Sequence, residues 1–434
     1  MDEQASVGTG CGCPADGSAG GTAEGISRRR FLGAAGAAAA LGVVGGIGGE
    51  LSSSRYAFAD AAYSGDVLVV LSLRGGFDGL SAVVPAADPH YRAARPGIGV
   101  PAAALLGLDA TFGMHPVLAP LKPLWDAGIL GAVHAAGQVD PTRSHFRAMQ
   151  ELERAAPGSG VRTGWLDRVS GAAGAGSAFA TVGVGITAAP ASLLGPSPEL
   201  LMPSLEDFSL SGADDAADRD RWSAALRGMH AGSRQEIRGP AMTTLGALAT
   251  AATVQDTAYA PANGAVYPDN ELGESLRDVA RLVKAGVGLR VATVDYGDWD
   301  MHAGLGRVDG GWMADQLGEL AVAMAAFATD LGGMTGVTLV TLSEFGRRVE
   351  ENASGGLDHG HGNLMLLMGG GVVGGRMHGA WPGLAPSALL DGDLAAANDY
   401  RTVLAELLER RCGIDGSRVF PGLGGGRLGV ARAR

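Results

Sequence analysis

Two hydrophobic rhythms alternate along this chain. Val67–Leu73 (VLVVLSL) is an unbroken apolar, β-rich run ending in Arg74-Gly75-Gly76, which predicts a strand buried on both faces. Pro116–Leu130 carries Leu118, Leu121 and Leu124-Trp125 at helical spacing, and Gly131-Ala132-Val133 opens another short strand. Ser144–Ala155 reads as a helix. The amphipathic stretch Leu272–Ala285 precedes a core strand at Gly288–Val294 (GLRVATV). Leu317, Leu320, Met324, Phe327 and Leu331 recur at helical spacing, Gly336–Leu342 (GVTLVTL) is a third strong strand, and Leu364–Met368 is a fourth. Strands alternating with helices of this length predict an α/β fold, a mostly parallel sheet covered by helices on both faces. The stretch around 196–270 is poor in strand signals from 205 onward and rich in Asp, Arg and Ser, so an insertion or cap is expected there.

Composition narrows the class. Hydrophobic residues at 46% and charged residues at 18% describe a globular chain rather than a disordered one. A formal net charge of −12 argues against general nucleic-acid binding, which needs a basic stripe to displace counterions. The 72 glycines follow no collagen period, and no solenoid or propeller repeat is visible.

The first 59 residues read as a leader. Ser27-Arg28-Arg29-Arg30-Phe31-Leu32 precedes a weakly apolar Ala/Gly run, Gly33 to Gly48, and Ala57-Phe58-Ala59 supplies small residues for cleavage. This resembles a twin-arginine export signal, with the twin-arginine translocase as partner and a periplasmic, cell-wall or extracellular destination. The run barely reaches the roughly 20 residues a membrane span needs, so no stable span is expected in the mature chain. Removing residues 1–59 takes Cys11 and Cys13 with it and leaves Cys412 alone, which excludes an internal disulfide, a Cys zinc site or an Fe–S cluster. Cys412 reads as a buried structural thiol.

Polar residues crowd the carboxyl ends of the strands, where open α/β sheets bind ligands. Arg74-Gly75-Gly76-Phe77-Asp78-Gly79 follows the first strand, and Asp295 through His302 follows the 288–294 strand. Ser343-Glu344-Phe345-Gly346-Arg347 and then Asp358-His359-Gly360-His361 follow the 336–342 strand. Carboxylates and imidazoles in this density are the usual donors for Zn, Mn and similar divalent ions. Ser144, with Thr142 beside it, stands at a helix N-terminus, where unpaired amides can stabilise an alkoxide and the oxyanions of a bound ester. Ser144 equally suits a plain N-cap. Arg74 and Arg347 suit bidentate clamping of phosphate or sulfate, or structural ion pairs. No P-loop, G-x-G-x-x-G or G-x-S-x-G pattern accompanies the glycines, which argues against a nucleotide fold and an α/β-hydrolase.

Four motifs together carry a family resemblance: Arg-Gly-Gly-Phe-Asp-Gly-Leu (74–80), Arg-Ser-His-Phe (143–146), Ser-Glu-Phe-Gly-Arg (343–347) and Asp-His-Gly-His-Gly (358–362). They resemble an exported bacterial family, domain of unknown function fifteen-oh-one, across essentially all of residues 60–434. That family looks like a distant branch of the alkaline phosphatase and sulfatase superfamily. The resemblance implies a three-layer fold and an exported hydrolase of phosphate or sulfate esters using one or two divalent ions (Zn, Mn, Mg or Ca). A small anionic ester or an envelope polymer would be its substrate. The alternative is a non-catalytic envelope binding or assembly protein that kept the fold.

Mapped onto this sequence, the resemblance implies Ser144 as nucleophile and Asp298 with His302 as an Asp-x-x-x-His metal pair, with Asp300 competing for that role. His359 resembles a further ligand of the same ion. Asp78 and Glu344 would serve a second ion, with Asp358 or His361 as substitutes. Phe345 departs from the pattern, because it stands where the superfamily has a ligating His.

Overall fold

The computed structural model describes residues 63–213 and 215–434. The leader, with Arg28, Arg29 and the cleavage site, lies outside the described residues. Nine strands build one sheet: β1 Val67–Leu73, β2 Leu130–Gly137, β3 Thr181–Val184, β4 Leu200–Met202, β5 Val291–Tyr296, β6 Val337–Leu342, β7 Asn363–Gly369, β8 Met377–His378 and β9 Asn398–Asp399. The order across it is β8-β2-β7-β6-β1-β5-β3-β4, with β9 also on β2. β1 pairs in parallel with β5 (Leu68 beside Val291) and with β6 (Val67 beside Val337). The β5–β3, β3–β4, β2–β8 and β2–β9 pairs are parallel too. Only β7 runs the other way, antiparallel to both β6 and β2.

The apolar run of β1 feeds both faces, as its lack of alternation requires. Val69, Leu71 and Leu73 join the core that holds Leu272, Leu276, Leu317 and Leu320. Leu68 and Val70 join the opposite core with Leu166, Val169, Val403 and Leu404. Those partners belong to α5 (Glu271–Ala285) and α6 (Trp312–Asp330) on one face, and to α2 (Trp165–Ala173) and α7 (Tyr400–Leu407) on the other. Helix–sheet–helix layering follows directly. The ends of α5 show how the sequence encodes such a helix. Asn270 caps it by accepting from Gly273 N at 2.8 Å, Glu271 and Glu274 sit in its first turn, and Lys284 sits in its last. Gly286, at φ +63°, closes it in the left-handed conformation.

Three stretches differ from the sequence expectation. Pro120 and Pro123 break the expected 116–130 helix into a 3₁₀ segment, Pro116–Leu121, and a short helix, Lys122–Asp126. The 288–294 strand starts three residues later, at Val291, after Gly288 turns at φ +84°. The strand-poor region contains β4 and then two helices, α3 (Ala216–His230) and α4 (Gln235–Gln255). α3 packs on α4 and α4 on α5, while Asp278 of α5 accepts from Leu205 N at 2.7 Å. No helix among the described residues is long and apolar enough to cross a membrane. Cys412 is buried, 5% exposed.

Candidate metal centre

Three loops at the carboxyl edge of the sheet, each leaving or entering a strand, converge on one point. The loop after β2 ends at Ser144, and α1 (His145–Arg154) starts there with His145 as its first residue. The loop after β5 brings Asp300 and His302, and the loop between β6 and β7 brings His359.

The Nε2 atoms of His145 and His302 lie 2.9 and 2.8 Å from Nε2 of His359. Asp300 Oδ1 stands 3.4, 3.1 and 3.3 Å from the same three nitrogens. An ion about 2.0–2.1 Å from each donor sets donor–donor edges near ~2.9 Å in an octahedron and ~3.3 Å in a tetrahedron. His145 Nε2, His359 Nε2 and Asp300 Oδ1 stand 2.9–3.4 Å from one another, close to those two values, and His302 stands beside this group rather than in it. His145, Asp300 and His359 form a group able to hold a metal ion.

The far side of each ring explains why the near sides face inward. His145 Nδ1 meets Glu344 Oε1 at 2.7 Å, His302 Nδ1 meets Asp358 Oδ1 at 3.0 Å, and His359 Nδ1 meets Arg143 O at 2.7 Å. Each partner is an acceptor, so the proton is assigned to Nδ1 and the lone pair to Nε2. Three lone pairs aimed at one another repel unless a cation or a proton stands between them. Carboxylate or carbonyl acceptors behind ligating imidazoles are the usual way a protein fixes that tautomer.

Asp300 is held by Arg347, whose Nη2 donates to Oδ1 at 2.7 Å. Burial alone would raise the Asp300 pKa, but the Arg347 hydrogen bond and charge, with His145 and His302, bring it down to about 2. The carboxylate is therefore an anionic donor across the working pH range. Arg347 also donates to the carbonyls of Gly75, Gly76, Leu357 and Trp299, tying three loops together from a buried position. The turn it grips needs glycine. Gly75 and Gly76 have φ of +112° and +71°, and a Cβ on Gly76 would stand 2.6 Å from the Phe345 ring.

Other residues singled out in the sequence fall around this centre rather than in it. Glu344, with a side chain only 2% exposed, orients His145 and also accepts from Gly75 N at 2.9 Å. Asp358 orients His302, and its carboxyl is held below the ordinary range by hydrogen bonds from His302 and Asn352. Phe345 is buried, its ring centroid 4.7 Å from His145 and 4.8 Å from His359, and forms the apolar wall behind them. Asp298 is exposed on a turn at φ +65°, two residues short of the carboxylate that reaches the centre.

Asp78 is buried and locked to Arg95 by two bonds, 2.6 and 3.0 Å. His361 is buried with Nε2 on Gln138 O at 2.9 Å. Arg74 is neutralised by Asp295 at 2.5 Å and Glu153 at 2.8 Å. Ser144 occupies the N-cap position of α1 but its side chain makes no capping hydrogen bond. His145, one of the loop histidines of the sequence but given no ligand role there, belongs to the group able to hold an ion.

Residues 141–432 match DUF1501, a family described as proteins of unknown function. The chain belongs to that family. The DUF1501 match contains all three donors and the acceptors behind them, and it leaves β1, Arg74, Asp78 and Arg95 outside. No curated protein and no solved structure matches the chain.

Proposed function

We propose that this chain is an exported, metal-dependent hydrolase of phosphate or sulfate esters on an alkaline phosphatase-like fold. The observation that carries the reading is the convergence of the His145 and His359 Nε2 atoms with the Asp300 carboxylate, each imidazole backed by an acceptor. Two imidazoles to one carboxylate favour Zn, or Mn, over Mg or Ca, whose preferred donors are oxygens. One ion suits the donor set better than two, since Arg95 supplies the positive charge that Asp78 would otherwise direct to a second ion. When bound, the ion supplies Lewis-acid stabilisation to an ester oxygen. The side chains of the three donors are 20–47% exposed, so an ester can reach them.

Ser144 Oγ, unused as a cap beside His145, is the nucleophile of this reading. It attacks phosphorus or sulfur, the alcohol leaves, and water then releases phosphate or sulfate from Ser144. The first-turn amides of α1 face the developing oxyanion charge. Ser144→Ala is expected to abolish turnover of an aryl phosphate or aryl sulfate while metal content and fold persist. Because no capping bond is lost, the melting curve should move by less than the ~1 kcal/mol typical of a cap removal. Thr142→Ala is the control. Retained turnover in Ser144→Ala would remove the nucleophile from this scheme.

A second reading, an envelope binding or assembly protein with one ion, draws support from Arg74 and Arg347. Both guanidiniums are already engaged by carboxylates or carbonyls, so neither is free to clamp an oxyanion. Absence of hydrolysis across a panel of esters with Zn, Mn, Mg and Ca would select it.

Export rests on the twin arginines. Replacing Arg28 and Arg29 by Lys should trap full-length precursor in the cytoplasm, and unchanged export of that variant would refute the assignment.

A further inference from the structure

At the opposite end of β1 from the His–Asp centre, a cavity of about 370 Å³ opens between the start of the strand and the last turn of the C-terminal helix. β1 has seven residues, which places the two sites roughly 20 Å apart along the strand. The helix loosens there into a π-helical turn, Leu408–Cys412, a distortion frequent at functional sites. Four arginines line the cavity, Arg410, Arg411, Arg427 and Arg434. Such a concentration stands out in a chain of net charge −12.

The local charges do not cancel. Asp66 binds Arg411 through both oxygens, at 2.9 and 3.1 Å, and lies 3.5 Å from Arg434. Glu409 pairs with Arg427 at 2.7 Å. Glu406, the other acid of this helix, accepts from the backbone of Leu428, Gly429 and Ala431. Backbone hydrogen bonds leave the Glu406 charge in place beside Arg427, so four arginines meet three carboxylates. Arg410 makes no side-chain hydrogen bond or ion pair among the described residues, and its Nε is buried without an acceptor. A buried N–H left without an acceptor is costly, and a charged one more so.

We propose that this cavity binds a small oxyanion carrying two negative charges, phosphate or sulfate, free or as a monoester. Arg410, whose side chain has no partner among the described residues, is its principal partner, and Arg427 is the second because its pair with Glu409 is solvent-exposed while Arg411 is committed to the buried Asp66. Guanidinium matches the paired oxygens of such anions, and the volume lies in the range of small-molecule sites, leaving room for the organic part of an ester. The site does not depend on the hydrolase reading, because it shares no residue with the His–Asp centre.

Titration calorimetry of inorganic phosphate into the chelator-treated full chain tests this. Saturable binding is expected, weakened about tenfold or more in Arg410→Ala and in Arg427→Ala, and unchanged in His359→Ala. Phenyl phosphate binding at least as tightly as phosphate assigns the site to a monoester, and weaker binding assigns it to the free anion. Arg410→Gln, which keeps a polar side chain, guards against a folding defect in the alanine variant. No saturable binding, or binding that both Arg410 variants and Arg427→Ala leave intact, overturns the proposal. So does binding lost only in His359→Ala.

Discussion

His359→Ala is expected to strip the metal ion from the carboxyl edge of the sheet while leaving the fold in place. His359 is the hub of the donor set, since its Nε2 lies within 2.9 Å of both other imidazole nitrogens. Structural zinc binding is worth about 10–16 kcal/mol in small peptides, so one donor of three carries roughly 3–5 kcal/mol. That corresponds to a loss of about a hundredfold in affinity, or more. The ring projects from a loop, 20% exposed, and takes no part in either sheet-facing core, so its removal should barely move the melting curve. Glu344→Gln should act in the same direction but less, about 10–100-fold, because it disturbs only the orientation and basicity of His145. Elemental analysis after zinc loading and dialysis, with chelator competition for the affinities, gives the ordering. Wild-type metal content in His359→Ala would show that the convergence of rings is not a metal centre.

Arg95→Ala should be the most destabilising single change in the buried frame beneath the site. The guanidinium is fully buried and donates to Asp78, to Ser81 Oγ, and to the carbonyls of Val349 and Arg348. Truncation leaves Asp78 as an unpaired buried carboxylate, at a cost of about 3–5 kcal/mol. The effect carries a pH signature. Burial pushes the Asp78 pKa up, and the charge and hydrogen bonds of Arg95 more than reverse that, so the folded-state value lies below the ordinary 3.8. A carboxyl whose folded pKa is depressed stabilises fully above its unfolded value and loses that contribution as pH falls through the folded one. In the variant burial, which favours the protonated form, is opposed only by the Ser81 hydrogen bond and the charge of Arg347. The gap in urea midpoint between wild type and Arg95→Ala should therefore be widest near neutrality and narrow below about pH 4. A gap that stayed constant on acidification would mean the lost stability was packing volume rather than the ion pair.

Much of the architecture was legible because its strands are long apolar runs. β1, β6 and β7 are so apolar that no alternative period competes, and α5 and α6 have wide apolar stripes. β3 and β4 escaped notice because they are three or four residues long and hold glycine or stand among prolines. The reversal of β7 left no trace either, since a strand buried on both faces looks the same read in either direction. The site was legible as a set of loops and not as a set of roles. Asp298 and Asp300 both suit a ligand at that spacing. What separates them is the turn that points one to solvent and the buried Arg347 that grips the other. Spacing likewise could not tell a donor from the acceptor behind it, so Glu344 and Asp358 read as ligands beside the imidazoles they orient. His145 was hidden by the hydroxyl next to it.

The reversed strand has a consequence for how this centre could diversify. Because β6 leaves the sheet at the carboxyl edge and β7 enters from that same edge, residues 343–362 depart from the site and come back to it. Within that one excursion lie Glu344, Phe345, Arg347, Asp358 and His359, and the bridge between Arg347 and His359 pins its two arms together. The excursion behaves as a cassette. Its outer part, around 350–356, is tied down as well, since Asn352 donates to His302 O at 2.8 Å and to Asp358 Oδ1 at 3.2 Å, and Glu351 accepts from Ile98 N at 2.8 Å. A transplant of the whole excursion between relatives would then carry His359 and two of the three acceptors behind the imidazoles, Glu344 and Asp358, in a single piece.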